Sequence, residues 1–254
     1  MRAEEHLVSL LTPTSYEAER YRELRHLVEQ LHKTANLSVL AISSPVGGDG
    51  KTTTAINLAG ALAQASEARI LLVDADVRRP SVTAYLGQGD PAGRGLVDAI
   101  LDPGLALEDV VRHRRAFNLS VLPAGHLPAA PYEVLKSPRV GELLEAARRQ
   151  YDYIVLDTPP LVSVPDCRVI GKWVDGFLVV VAAHKTPRKL VEEALNLLDR
   201  AKIVGLVFNG DNRPLSGYYY YGYGRPSNGN GVRRWGRAVK RIGRSLGAAW
   251  KGSG

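Results

Sequence analysis

Cysteines, long apolar runs and acidic residues near the C-terminus are scarce or missing in this chain of 254 residues. Cys167 is the single cysteine, so no internal disulfide can form, which fits a reducing compartment such as the cytoplasm. The longest strongly apolar run, residues 177–183, is far too short to span a bilayer. Residues 1–25 are rich in charge, so we expect no signal peptide there. The sequence therefore predicts a chain that does not cross a membrane by itself.

The missing acidic residues explain the basic charge of the chain. Residues 225–254 contain eight Lys or Arg and no Asp or Glu, whereas residues 1–224 contain 25 basic and 26 acidic residues. The net charge of +7 therefore belongs to a tail, and we do not expect nucleic-acid binding over the whole surface. A length of 254 residues is sufficient for one α/β domain with a sizeable core.

Apolar, β-branched-rich segments alternate with helical patterns along the chain. The strand-like segments are residues 37–43, 69–74, 118–122, 153–157, 176–182 and 203–208, and the helical patterns include residues 15–35, 53–65, 139–150 and 187–201. This alternation predicts an α/β fold in which a mostly parallel central sheet carries helices on both faces. Ligands of such sheets bind at the carboxyl ends of the strands.

A glycine-rich loop follows the first predicted strand. It reads Ser-Ser-Pro-Val-Gly-Gly-Asp-Gly-Lys-Thr-Thr over residues 43–53. Such a loop turns its backbone N–H groups inward and, with the positive end of the next helix, binds phosphate oxygens. Lys51 supplies a cation for the outer phosphates and Thr52 a hydroxyl for Mg²⁺. A standard P-loop has Gly at position 45, where this chain has Pro, and the alternative is an ordinary β–α turn with a surface lysine.

Carboxylates follow two further predicted strands. The strand at residues 70–73 leads into Asp74 and Asp76, which share one face because they are two residues apart. Beside a phosphate nest, such a pair suits Mg²⁺ coordination and proton abstraction from a hydroxyl. Asp157 follows four apolar residues and fits the Walker B role of holding Mg²⁺ through water. The alternatives are that Asp74 caps a turn at a solvated strand end and that Asp157 caps a turn or helix before the prolines.

These motifs together resemble the bacterial tyrosine kinases (BY-kinases) of capsule and exopolysaccharide synthesis, within the MinD/ParA-like P-loop ATPases. Residues 43–53 are similar to the Walker A loop of that family, and residues 72–80, Leu-Val-Asp-Ala-Asp-Val-Arg-Arg-Pro, to its Walker A′ motif. Residues 122–125 and 131–137 match a further family stretch. The lysine that MinD and ParA proteins carry early in the loop would fall at Val46 and is missing, which favours the kinase branch.

The resemblance implies a protein-tyrosine kinase that uses ATP and Mg²⁺. Asp74 would be the base toward tyrosine, although Asp74 and Asp76 can exchange roles. The resemblance implies three overlapping sets of site residues. The catalytic set is Lys51, Asp74, Asp76 and Asp157. The Mg²⁺-binding set is Thr52, Asp76 and Asp157, and the ATP-binding set is Gly47, Gly48, Asp49, Gly50, Lys51, Thr52, Thr53 and Asn209. For Asn209 the sequence leaves two roles open, contact with the adenine or capping of a strand-end turn. For Arg78 and Arg79 it leaves open contact with phosphate, contact with a neighbouring subunit, or simple exposure to solvent.

A cluster of tyrosines lies near the C-terminus and consists of Tyr218, Tyr219, Tyr220, Tyr221 and Tyr223. Residues 214–231 around this tyrosine cluster are rich in Gly, Asn, Ser and Pro without apolar periodicity, which predicts a flexible segment. The resemblance implies that the cluster is the autophosphorylation substrate, presented to a neighbouring subunit. An aromatic linker or adhesive patch is the alternative.

Assembly is also implied by the resemblance. Glu19, Arg22 and Arg25 fit the Glu-x-x-Arg-x-x-Arg motif that the family uses to form rings, so we expect a homo-oligomer. The family usually needs a membrane-spanning activator, and because no such segment occurs here we expect a separate partner of the polysaccharide co-polymerase type. The predicted organisation is an N-terminal segment with the oligomerisation helix at residues 1–35, a P-loop kinase domain at 36–213, the tyrosine segment at 214–231 and a basic tail at 232–254.

The basic tail has a helical pattern between Val232 and Lys251. Its apolar residues recur at spacings of three or four and are Val232, Trp235, Val239, Ile242, Leu246 and Trp250. A basic amphipathic pattern with tryptophans suits an anionic membrane surface and predicts a peripheral position at the inner face of the plasma membrane. Docking to the activator, a disordered solubilising tail and, less favoured, nucleic-acid binding are the alternatives. The tail also supports a second function, a MinD/ParA-like ATPase switch, and a third is a non-catalytic nucleotide-binding scaffold.

Overall fold

A seven-stranded sheet forms the centre of the computed structural model, which describes residues 3–87 and 93–210. Its strands are β1 (Val39–Ser43), β2 (Ile70–Asp74), β3 (Arg112–Arg114), β4 (Leu119–Leu122), β5 (Tyr153–Asp157), β6 (Gly176–Ala182) and β7 (Ile203–Asn209). They lie in the order β3-β4-β2-β5-β1-β6-β7, and all neighbouring pairs are parallel except β3 with β4. The prediction of a mostly parallel α/β sheet is confirmed.

Helices connect the strands and cover both faces of the sheet. In the described part of the chain they are α1 (Val8–Leu11), α2 (Tyr16–Ala35), α3 (Lys51–Leu62), α4 (Val82–Tyr85), α5 (Leu96–Leu101), α6 (Pro131–Lys136), α7 (Arg139–Gln150), α8 (Asp166–Ile170) and α9 (Arg188–Asn196). Short 3₁₀ turns occur at Leu107–Asp109, Arg115–Phe117 and Arg200–Lys202. Among these helices, none is both long and apolar enough to cross a bilayer.

The two faces of the sheet carry separate apolar cores. Along β1, Val39 and Ala41 point into one core, whereas Leu40 and Ile42 point into the other. Helices α5 to α9 cover the first face, and α1 to α4 cover the second. A strand that is buried on both faces needs a nearly continuous apolar sequence, which is why all five residues of β1 are buried.

The N-terminal segment packs against the P-loop domain. Helix α2 begins after Ser15, whose hydroxyl accepts a hydrogen bond from the Ala18 N–H at 3.2 Å, and it ends at Asn36 in the left-handed conformation. Leu7 and Val28 are 0% and 1% exposed and belong to the core that α3 also covers. Residues 3–35 therefore share a core with the domain that follows them.

Most predicted boundaries agree with the structure to within a few residues. The helix expected at residues 53–65 begins earlier, at Lys51, because Gly50 turns the chain directly into it. The helix expected at 187–201 ends at Asn196, and a 3₁₀ turn follows. Strand β3 is three residues, Arg-His-Arg, and carries no apolar alternation by which sequence reasoning could find it. The tyrosine segment at 214–231 and the basic tail at 232–254 lie outside the described residues.

Candidate active site

The P-loop connects β1 to α3 and depends on two glycines with positive φ. Gly48 has φ +88° and Gly50 has φ +95°, a region that residues with a Cβ rarely adopt. A Cβ on Gly50 would also lie 2.0 Å from the Nδ2 atom of Asn209. Position 50 therefore requires glycine for two reasons, the positive φ of its backbone and the close approach of the Asn209 side chain. Gly47 and Thr53 lie at the two ends of the predicted phosphate-binding loop.

Two contacts from outside the loop hold its acidic residue, Asp49, which is only 3% exposed. The Thr186 hydroxyl, between β6 and α9, donates to Asp49 Oδ1 at 2.7 Å. The Asn209 side-chain amide, at the end of β7, donates to the Asp49 backbone carbonyl at 3.0 Å. Asn209 therefore contacts the P-loop itself, and the predicted adenine contact remains a prediction. The connection after β6 and the end of β7 thus both hold the P-loop.

Lys51 and Thr52 extend from the start of α3 toward the predicted carboxylates. The Lys51 Nζ atom lies 2.8 Å from Asp76 Oδ2 and 3.5 Å from Asp157 Oδ1. The Thr52 hydroxyl donates to Asp157 Oδ2 at 2.7 Å and lies 3.3 Å from the Ser81 hydroxyl. The structure thus brings together residues that are more than 100 positions apart in the sequence.

Asp74 lies behind this group and is completely buried. Its Oδ2 atom accepts the backbone N–H groups of Ser81 and Val82, both at 3.0 Å, at the start of α4. Its Oδ1 atom is buried and has no hydrogen-bond partner among the described residues. The alternative that Asp74 caps a turn is thus correct for one oxygen, but the strand end is not solvated.

The carboxylates destabilise one another's charge. Burial, together with repulsion from Asp157, raises the pKa of Asp74 to about 8. Burial raises the pKa of Asp157 to about 6, and the Lys51 ammonium opposes that rise. For Lys51 itself, burial lowers the pKa, but attraction to Asp157 and Asp76 outweighs burial and raises it. The site is an anionic pocket in which Lys51 provides the nearest positive charge.

The donor atoms of this pocket fit Mg²⁺. Thr52, Asp76 and Asp157 offer only oxygen donors, which hard cations prefer, and the Asp74 Oδ1 atom is a further buried oxygen without a partner. Within the described ranges, no three His, Cys, Asp or Glu side chains converge into a complete metal cage. A Mg²⁺ ion here would take its other ligands from phosphate and water, as Mg²⁺ commonly does.

The two arginines after β2 behave differently. Arg78 donates through Nε and Nη2 to both oxygens of Asp166, at 2.6 and 3.0 Å. Arg79 is exposed, and its backbone N–H donates to Asp76 Oδ1 at 3.1 Å. Sequence reasoning missed Asp166, as well as Ser81 and Thr186. Ser81 carried a weak signal, since a serine before a short helical stretch is typical of an N-terminal cap, but nothing marked the other two.

The predicted oligomerisation residues lie on α2, away from the pocket. Arg22 pairs with Glu19 and donates to the Gln64 side chain at 3.3 Å. Arg25 pairs with Glu29 and donates to the Ala61 carbonyl at 3.0 Å. The side chains of Glu19 and Arg22 are 52% and 38% exposed, whereas that of Arg25 is 23% exposed. Arg25 is therefore held by both α2 and α3 of its own chain, whereas Glu19 and Arg22 are more exposed.

Comparison with known proteins decides the family. A sequence profile of the AAA domain matches residues 37–196. The tyrosine-protein kinase YwqD of Bacillus subtilis is 32% identical over 225 residues, which cover 87% of this chain and 92% of that protein. The chain belongs to the bacterial tyrosine kinases. The tyrosine-protein kinase CpsD of Streptococcus agalactiae is 34% identical over 190 residues and covers 74% of this kinase and 82% of that relative.

Solved structures agree with this assignment. The kinase domain of the Escherichia coli tyrosine kinase ETK superposes with a TM-score of 0.76 at 28% identity, covering 86% of this chain and 85% of that one. The cell division ATPase MinD of Pyrococcus furiosus, at 24% identity and a TM-score of 0.56, shares the fold over 67% of this chain and 71% of its own. The kinase spans only 30% of its longer relative Wzc of Salmonella typhi, at 31% identity. The predicted family, fold and enzyme class are confirmed.

Proposed function

We propose that this kinase transfers the γ-phosphate of ATP to its own tyrosine cluster in trans and thereby regulates the polymerisation or export of an exopolysaccharide or capsule. The observation that carries the proposal is the convergence of Lys51, Thr52 and three aspartates at the carboxyl ends of β1, β2 and β5. A relative named succinoglycan biosynthesis transport protein ExoP, from Rhizobium meliloti, is 34% identical over 213 residues, which cover 26% of that protein. Its name supports the polysaccharide pathway.

The P-loop supplies the ATP-binding residues. Gly47 to Gly50 present backbone N–H groups to the phosphates, and the amino end of α3, with Thr53 in its first turn, adds its positive dipole. The Lys51 ammonium, which contacts Asp76 at 2.8 Å, would transfer part of its interaction to the β- and γ-phosphates. Asn209 adjoins the same loop and is our candidate for the adenine side of the site.

Thr52, Asp76 and Asp157 would hold Mg²⁺, directly or through water. When bound, the ion supplies positive charge that neutralises the phosphate oxygens during transfer. Thr52 and Asp157 are hydrogen-bonded at 2.7 Å, so these two ligands are already oriented toward one another. Asp76 is fixed by the Arg79 N–H and by Lys51. The protein's contribution here is to hold these oxygens in place before the nucleotide binds.

Asp74 is our candidate for the base. The tyrosine oxygen attacks the γ-phosphorus, the bond from that phosphorus to the bridging oxygen of ADP breaks, and the phenolic proton passes to Oδ1 of the ionised Asp74. The raised pKa makes this carboxylate a stronger base than an ordinary aspartate, and the charge of a bound Mg²⁺ ion would favour its ionised form. In this structure each Asp76 oxygen already has a donor, Lys51 or the Arg79 N–H, whereas the Asp74 Oδ1 atom has no partner among the described residues. We expect Asp74→Asn to lower kcat with little change in ATP affinity, and Asp76→Asn to weaken the binding of Mg²⁺-ATP. The reverse result would exchange the two roles.

The proposed partners follow from the exposed regions and the C-terminal sequence. We propose a homo-oligomeric ring in which Glu19, Arg22 and Arg25 contribute to the contacts between subunits. We further propose a separate membrane-spanning activator and an interaction of residues 232–251 with anionic lipid at the inner face of the plasma membrane. Liposome sedimentation of the full chain and of a chain ending at residue 231 tests the lipid interaction. Equal binding by both would refute it.

Intact mass spectrometry tests the autokinase directly. The full chain is incubated with Mg²⁺-ATP and the cytoplasmic part of a candidate activator, beside Lys51→Met and a variant with all five clustered tyrosines changed to Phe. We expect mass steps of one phosphate that both variants lose. Mixing the variants tests transfer in trans: the Lys51→Met chain, which keeps its tyrosines, should then gain phosphate. ATP consumption without a mass gain would refute the autokinase and favour an ATPase switch.

A further inference from the structure

The ion pair between Arg78 and Asp166 joins the segment after β2 to the start of α8, which follows β5, and both strands end in a carboxylate of the proposed site. Asp166 is the first residue of α8 and is completely buried, whereas the Arg78 side chain is 35% exposed. The guanidinium meets the carboxylate through two parallel hydrogen bonds, at 2.6 and 3.0 Å. Bidentate pairs of this kind fix orientation as well as distance. The pair is 88 residues apart in sequence, so it is a tertiary contact and not a local turn.

On one side of the pair lies the loop between β2 and α4. The backbone N–H of Arg79, the next residue, donates to Asp76 at 3.1 Å. The N–H groups of Ser81 and Val82, a few residues later, donate to Asp74. Arg78 is thus anchored in the segment whose backbone orients both carboxylates. A shift of this segment would move the hydrogen-bond donors of Asp74 and Asp76 together.

On the other side of the pair, α8 is fixed to the carboxyl end of β5. The Cys167 thiol, adjacent to Asp166, donates to the Pro159 carbonyl at 3.1 Å and lies 3.5 Å from the Thr158 hydroxyl. Thr158 directly follows Asp157 and donates to the Ile42 carbonyl of β1 at 2.9 Å. The start of α8 is therefore attached to the strand end that carries Asp157.

We infer, resting on the proposed roles of Asp74, Asp76 and Asp157, that Arg78 and Asp166 are positioning residues for phosphoryl transfer. Their ion pair holds the Asp74–Asp76 loop at a fixed distance from the β5 end. Neither side chain needs to touch the nucleotide for this role. Because Asp166 is buried, it requires a partner in any case, and a purely structural pair is the competing explanation. The two explanations differ in what happens when the pair is replaced by neutral groups.

The test compares Arg78→Gln with the double variant Arg78→Gln/Asp166→Asn. The single variant leaves a buried carboxylate without its cation, so we expect it to lose both thermal stability and activity. The double variant removes the unpaired charge, so we expect its melting temperature to recover while kcat stays low, about 10²-fold below wild type, since a displacement of about 1 Å can have that effect. The affinity for ATP measured without Mg²⁺ should stay within about threefold, because the P-loop is untouched and Asp76 acts through the metal ion. Arg78→Lys should restore part of kcat.

A second ion pair provides the matched control. Arg148 donates bidentately to Asp175 at 2.9 and 2.7 Å, and Asp175 accepts the N–H groups of Ser38 and Val39 at the opposite, amino end of β1. Arg148→Gln should lower the melting temperature and leave kcat unchanged. Recovery of kcat together with stability in the Arg78/Asp166 double variant would overturn the inference. So would a loss of affinity for Mg²⁺-free ATP equal to the loss of kcat, which would place Arg78 on the phosphates.

ADP formation by the full chain is the readout, so the result does not depend on which group accepts the phosphate. A wild-type chain that forms ADP without gaining mass would refute the autokinase proposal, while the comparison of the Arg78 variants would still decide the positioning role.

Discussion

Replacing Gly50 with Ala should damage the P-loop through two separate effects. The first is the backbone, since φ is +95° there and a Cβ in left-handed geometry costs about 1–2 kcal/mol. The second is steric, because the new Cβ would lie 2.0 Å from Asn209 Nδ2. The Asn209 amide can swing away, but it then loses its hydrogen bond to the Asp49 carbonyl, which contributes about 1 kcal/mol. The two effects together give about 2–3 kcal/mol.

Thermal unfolding and ATP titration measure this loss. For a domain of this size, a loss of 1 kcal/mol in the free energy of unfolding lowers Tm by about 2–4 °C, so the Tm of the Gly50→Ala variant should lie about 4–12 °C below that of the wild type. The Kd for Mg²⁺-ATP should rise at least about tenfold, because a distorted loop no longer directs its N–H groups at the phosphates and 1.4 kcal/mol corresponds to tenfold. Lower stability with an unchanged Kd would show that the loop does not hold phosphate.

A double-mutant cycle separates the two effects. Asn209→Ala removes both the clash and the hydrogen bond. In that background Gly50→Ala should lower the free energy of unfolding only through its backbone conformation, by about 1–2 kcal/mol. The coupling between the two substitutions should therefore be about 1 kcal/mol. An equal cost in both backgrounds would refute the steric contact. A Gly50→Ala chain with wild-type Tm would refute the whole estimate.

Three further predictions follow from buried polar contacts. Thr186→Val should raise KM for ATP several-fold with little change in kcat, because the Asp49 carboxylate loses its 2.7 Å donor, and Thr186→Ser should restore KM. Asp175→Asn should lower the free energy of unfolding by about 1–2 kcal/mol at pH 7. Despite burial, Arg148 and two N–H groups hold the pKa of Asp175 below its ordinary value, so this stabilisation is complete above about pH 4 and is lost as pH falls further. Denaturant titration of the wild type and the variant across pH 2–7 measures it. Cys167 is 1% exposed and burial raises its pKa to about 11, so iodoacetamide at pH 8 should label it only after unfolding.

Periodicity and glycine placement made much of the fold predictable from the sequence. Residues 153–157 read as a buried strand because four apolar residues precede Asp157, and the structure has β5 at those positions. The P-loop was predictable because Gly50-Lys51-Thr52 lies between a strand and a helix. Strand β3 was not, since its three residues show no apolar alternation and their strand conformation comes with the pairing to β4. Local pattern predicts a segment when the segment's own residues determine its conformation.

The contacts that orient the site were less predictable, because they depend on how distant segments pack. Asp166 follows Pro165 in a stretch without periodicity, and its role appears only when Arg78 reaches it from another loop. Thr186 contacts Asp49 across 137 residues. The position of Lys51 between two carboxylates likewise requires the strand order, which the sequence does not state. The sequence thus indicated the chemical groups of the site and left their supports unidentified.

Strand order explains why Asp157 is central to the site. Strand β5 lies between β2 and β1, and its register places Asp157 beside both Asp74 and Ile42. A shift of one residue would turn Asp157 to the other face of the sheet, away from Thr52, so the apolar residues of β5 that fix the register also fix the geometry of the candidate site. Because Asp157 is completely buried, its charge depends on Lys51 and Thr52. The P-loop and the carboxyl end of β5 therefore stabilise one another, and loss of either should weaken the other before any nucleotide binds.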